Sequence, residues 1–327
     1  MILEYLQPDP SLLDGITVVL RSMYYVATIG AAGLALFSVG FGHRLEPDEA
    51  GSLRRLLLRA IIAGFLLSIL ALALRVYVLT AGVSAADPDV WAAVMRSRIG
   101  DAFWLRSAGL VLLAAAVMPW RTGPAVAAVG AALVIASYAA MGHSMLFRPR
   151  QEIAALLVLH LSVVAFWIGS LPPLLWIAQR RDGAAASALI RDWVRVATIT
   201  VATMIVTGLL LTWYLTVRLD RILEAWHGWT LAWKLLAVTA ALGLALWNRL
   251  RHTPALTRGE AGAGAHLASS IRLEMGLVAL AFYAAAEMVS VHPVDYGHRV
   301  EAVETCRSGE LGLCTAGQPL HDTGKVV

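Results

Sequence analysis

ALLVLHLSVVAFWIGSLPPLL, residues 155–175, runs for 21 residues without a charged side chain, yet it contains His160. Roughly 20 apolar residues in a helix cross a bilayer core, so this stretch predicts a transmembrane helix. An imidazole gains nothing from facing lipid, and an ionisable residue at membrane depth marks a candidate functional site. SYAAMGHSML, residues 137–146, presents a second such residue in His143.

The same reading extends to the whole chain. Apolar stretches at about 16–41, 55–81, 103–120, 124–147, 152–178, 194–217, 230–249 and 270–291 predict eight spans. The 327 residues are 59% hydrophobic and 15% charged, with a mean hydropathy of +0.70. Soluble domains carry about a quarter charged residues, so a soluble enzyme is excluded. The fold class expected is an all-α integral membrane protein, an eight-transmembrane-helix bundle. The net charge of +4 does not point to nucleic acid, because the arginines lie between spans and read as topology signals. Loops after odd-numbered spans hold thirteen arginines (Arg44, Arg54, Arg121, Arg180, Arg191 and Arg249 among them), and loops after even-numbered spans hold six. Cytoplasmic loops carry the excess, which predicts that both termini are extracytoplasmic. The acidic start, MILEYLQPDPSLLDG, does not read as a cleavable signal peptide. The expected division is a membrane domain over 1–292 and a short extracytoplasmic tail over 293–327. Cys306 and Cys314 in that tail fit either a small disulfide loop or two separate thiols.

The turn FRPRQE, residues 147–152, is short, so the helices bearing His143 and His160 should be antiparallel neighbours. The pair reads as metal or haem ligands, or as two histidines hydrogen-bonded across a helix interface. Met141 and Met145 share a helix face from which His143 points away, which makes them packing residues. On the eighth span Glu274, Val278, Ala281, Ala285, Met288 and His292 recur at helical spacing. That stripe reads as a cation route with an inner carboxylate and an outer thioether and imidazole; otherwise Glu274 pairs with Arg272 or a neighbouring helix. Thr200, Thr203 and Thr207, with Gly208 adjacent, read as helix-packing glue. Pro172-Pro173 should bend or end the fifth span. Arg21, Arg75, Arg106 and Lys234 fall in the outer parts of their spans. They either snorkel to the headgroups or face inward toward a carboxylate or an anionic ligand such as a haem propionate. There is no P-loop, HExxH motif or nucleophile elbow, so no enzymatic activity is expected.

A set of motifs now lines up in order. Gly142-His143 is followed by HLSVVAFWIGSLPPLL with His160, Trp167 and Gly169, then by TGLLLTWYL and WKLL with Lys234. WNRLRHTPAL with Asn248 and Arg249, and SIRLEMGLVAL with Glu274, complete the second half; RIGDAFWLR with Gly100, Trp104 and Arg106 marks the first. Together these resemble the copper-resistance protein D (CopD) family of inner-membrane proteins over most of the chain. The resemblance implies copper ion transport across the inner membrane, toward the cytoplasm, and copper homeostasis and resistance. It also implies supply by a separate periplasmic copper-binding protein of the CopC type. His143 and His160 fall at the family's histidine positions, with Met288, His292 and Glu274 as further candidate ligands. The sequence departs from the family pattern at Gly169-Ser170, where a glycine pair is usual, at RDWVRVA opening the sixth span, and at the His-Pro before the tail. Two alternatives stay open, a b-type haem electron-transfer protein with the two histidines as axial ligands, and a copper-sensing or assembly scaffold without flux.

Overall fold

Small residues dominate the first helix, α1 (Leu12–Phe41), and explain its place at the centre. Ala31, Ala32 and Ala35 are fully buried, and Gly33 lets another backbone approach. The computed structural model describes residues 12–80, 82, 84–118, 123–141, 149–180, 183–215 and 226–290, and every regular element among them is helical. After α1 and a short 3₁₀ turn come α2 (Pro47–Leu79), α3 (Pro88–Met95), α4 (Arg98–Ala116) and α5 (Gly123–Ala139). These are followed by α6 (Arg150–Arg180), α7 (Gly183–Leu215), α8 (Trp226–Trp247), α9 (Thr253–Thr257) and α10 (Ala263–Ser290). Helix α1 packs on α2, α5, α6 and α10, while α4 lies along α5 and α8 along α10.

Among the described residues, seven helices are long and apolar enough to cross a membrane. The predicted fourth span is the exception: α5 has 17 residues, about 25 Å of helix, and residues 142–148 of that expected span lie outside the described residues. The tail 293–327, with Cys306 and Cys314, also lies outside them. Large apolar side chains such as Ile62, Leu66, Ile199, Leu209, Leu236 and Leu250 are exposed, which a lipid environment accounts for.

Three sequence expectations change. Helix α6 does not end at Pro172-Pro173 but continues to Arg180; neighbouring helices make interior prolines tolerable in membrane helices. The seventh span does not stop at Arg249. It passes through a π-helical turn, Asn248–His252, directly into α9. Helix α3 has no counterpart among the predicted elements; Asp87 caps it by accepting from the Asp89 N–H at 2.9 Å.

Close helix crossings rest on glycine. A Cβ on Gly33 would run into the Ala165 carbonyl, and one on Gly169 into the backbone of Gly33 and Leu34. The α1 and α6 backbones therefore touch, which is the contact that small residues permit in membrane helices. Gly109 and Gly130 bring α4 and α5 together in the same way.

Candidate functional site

Trp167 must find an acceptor for its indole N–H once buried, and it does so across the bundle. Its Nε1–H donates to Glu274 Oε1 on α10 at 2.9 Å. Asn248, first residue of the π-helical turn, donates from Nδ2 to Glu274 Oε2 at 3.4 Å, and its own Oδ1 is buried without a partner. All three residues are buried, Glu274 to 2% exposure. The carboxylate pairs neither with Arg272 nor with any cation by a salt bridge among the described residues; its partners are two neutral N–H groups. Local features place each member. Gly169 draws α6 against α1 just beyond Trp167, Ser170 donates to the Trp167 carbonyl at 2.7 Å, and the π-helical turn presents Asn248 toward α10.

His160 lies seven residues before Trp167 on α6. Seven residues rotate by about 700°, so the two side chains leave nearly the same face, about 10 Å apart along the axis. The His160 Nδ1 is 3.0 Å from Thr207 Oγ1 on α7. Thr207 commits its single hydroxyl proton to the Thr203 carbonyl at 2.7 Å, so toward His160 it accepts. That arrangement favours the proton on Nδ1, with Nε2 as the lone-pair nitrogen; tying one ring nitrogen in this way is how the other is freed to bind a metal. Gly208 leaves room for the ring: a Cβ there would sit 3.2 Å from His160 Cε1.

The other predicted residues divide. His143 and His292 lie outside the described residues, so the expected His143–His160 pairing does too. Met288 is half-buried on α10. The expected stripe holds at Glu274 and Val278 but then drifts, because the buried face continues through Phe282 and Ala286 while Ala281 and Ala285 are half-buried. No group of three or more His, Cys, Asp or Glu side chains that could hold a metal occurs among the described residues. Arg106 does not snorkel. It is 5% exposed, donates from Nε to Ser137 Oγ at 3.1 Å, and lies over the rings of Tyr24 and Tyr138 at 4.6 and 4.8 Å. A desolvated cation–π contact is worth about 2 kcal/mol, which offsets part of the cost of burying the guanidinium.

Sequence reasoning missed the pairing of Trp167 and Asn248 with Glu274, and the service of Thr207 to His160. The signals were present as residue types, an indole donor, an amide and a carboxylate in apolar segments, but not as partners.

Residues 12–147 match the family model described as "Copper resistance protein D-like, N-terminal domain", and residues 187–288 match "Copper resistance protein D". The chain belongs to the copper resistance protein D family. No curated protein and no solved structure matches it significantly. With its seven candidate membrane helices, this CopD protein is a multi-pass inner-membrane protein associated with copper resistance. Helix α6, which carries both His160 and Trp167, falls entirely between the two matched ranges, and it contacts α1, α7 and α10.

Proposed function

We propose that this CopD protein is a copper permease, not an enzyme, moving copper from the periplasmic side toward the cytoplasm. In this reading α5, extended by the residues after Ala139, supplies an eighth span, and both termini and the tail lie in the periplasm, where a separate CopC-type protein delivers copper. His292, Met288 and His143 receive the ion at that end, His160 binds it within the bundle, and Glu274 lies inward of His160. Imidazole and thioether suit copper(I), and successive weak sites let an ion leave as well as enter.

The observation that carries this reading is the 3.0 Å contact between His160 Nδ1 and Thr207 Oγ1. With Nδ1–H held by Thr207, the remaining nitrogen is a neutral donor on the α6 face that leads to Trp167 and Glu274. Proteoliposomes loaded with a copper(I) reporter test it. The wild type should accumulate copper and His160→Ala should lose at least nine-tenths of the rate while inserting normally. Equal rates in the two would end the proposal, and a Soret band in the purified protein would replace it with the haem reading.

A further inference from the structure

The far end of the bundle from Met288 carries a second pair of imidazoles. His252 closes the π-helical turn and His266 lies in the first turns of α10. Their ring centres are 6.2 Å apart with the planes tilted by 42°. Neither ring makes a hydrogen bond among the described residues, so both retain a lone pair for a ligand. The juxtaposition is built by the backbone. Gly259 and Gly262 adopt φ of +70° and +78°, a conformation that favours glycine. The loop they shape is tied by Glu260 N–H to the Ala255 carbonyl at 3.1 Å and by His266 N–H to the Gly262 carbonyl at 3.0 Å. The π-helical turn adds a residue to the α8 ladder and re-aims the chain beyond it, as such turns commonly do at functional sites. Trp247 holds the other side of His252 edge to face, with centres 6.5 Å apart.

A metal sits about 2 Å from an imidazole nitrogen, and hence about 3 Å from the ring centre, so two rings bound linearly to one ion have centres about 6 Å apart. The observed spacing of 6.2 Å matches. We propose that His252 and His266 form a two-coordinate copper(I) site on this face. Two imidazoles fall short of the four ligands that zinc usually takes, while imidazole suits copper; the nearby Arg258 is ion-paired with Glu260 at 2.7 Å. His266 is exposed and His252 half-buried, so a site here is open to exchange with a soluble acceptor. The choice of copper rests on the permease reading above.

The test uses the full-length protein in detergent under reducing conditions, with copper(I) titrated against a chromophoric chelator. The double variant His252→Ala/His266→Ala should bind one copper equivalent fewer than wild type, and His160→Ala should keep that equivalent. The single variant His266→Cys, which keeps a soft ligand beside His252, should retain it. Unchanged stoichiometry in the double variant overturns the site. Because the assay needs no flux, inactive wild-type vesicles would sink the permease reading without touching this result.

Discussion

Trp167 and Glu274, 107 residues apart in sequence, are joined by a 2.9 Å hydrogen bond from indole nitrogen to carboxylate oxygen. The bond links α6 to α10 in the buried interior, so the carboxylate depends on it and on Asn248 for all its described hydrogen bonding. Removing a donor from a buried acceptor costs the full desolvation of that acceptor, about 1–3 kcal/mol and more when it is charged.

Trp167→Phe should therefore lower the thermal unfolding midpoint in detergent by several degrees. Glu274→Gln should cost little, because the new amide oxygen still accepts from Trp167 and, once the Asn248 amide turns over, the new NH₂ donates to Asn248 Oδ1 in place of the lost Nδ2 bond. With both changes present, the loss should be smaller than for Trp167→Phe alone. A double variant as unstable as the sum of the two singles would contradict this account.

Thr207→Val keeps the shape of the α7 face but removes the acceptor for His160 Nδ1–H. Loss of a group that orients a metal-ligating imidazole typically weakens binding by about 10- to 100-fold. Copper(I) affinity should fall in that range, whereas Thr200→Val, whose hydroxyl bonds only to the Val196 carbonyl at 2.9 Å, should leave it unchanged. Equal affinities in the two valine variants would argue against the tautomer assignment.

Gly33→Ala and Gly169→Ala should each reduce the yield of folded protein sharply, since the added methyl meets backbone, not a movable side chain. Overpacking commonly costs about 1–3 kcal/mol and occasionally more. Gly243→Ala and Gly276→Ala, with nothing within 4 Å of the new methyl, should hold or gain up to about 1 kcal/mol through helix propensity. Monodispersity on size exclusion and melting temperature give the comparison.

Arg106→Lys should destabilise despite keeping the charge, because an ammonium cannot lie flat over the Tyr24 and Tyr138 rings as the planar guanidinium can. Arg106→Met, which fills the space without a charge, should melt closer to wild type than Arg106→Lys, as replacing a buried ion by a well-packed apolar group often does. The reverse order would show that the cation itself is required.

Much of this architecture was legible as apolar length. Spans such as 152–178 and 270–291 announce themselves because hydrocarbon demands about 20 apolar residues and tolerates little else. Helix α3 was not, at eight residues and with ordinary polarity. The π-helical turn was invisible because WNRLRHTPAL keeps a helical pattern throughout, and one extra residue in the ladder leaves no trace in hydropathy. At the site, His160 and Glu274 stood out singly as polar groups in apolar segments. Their partners did not: Thr207 looked like a backbone-bonding threonine, which it also is, and nothing local couples Trp167 to a carboxylate on another helix.

The bare contact between α1 and α6 at Gly33 and Gly169 has a mechanical implication. Two backbones in direct touch have no side-chain layer to act as a bearing, so this pair can neither roll nor slide without collision. It forms a stator. In the permease proposed above, any alternation of access would come from other elements swinging against this pair, with His160 fixed on the stationary part.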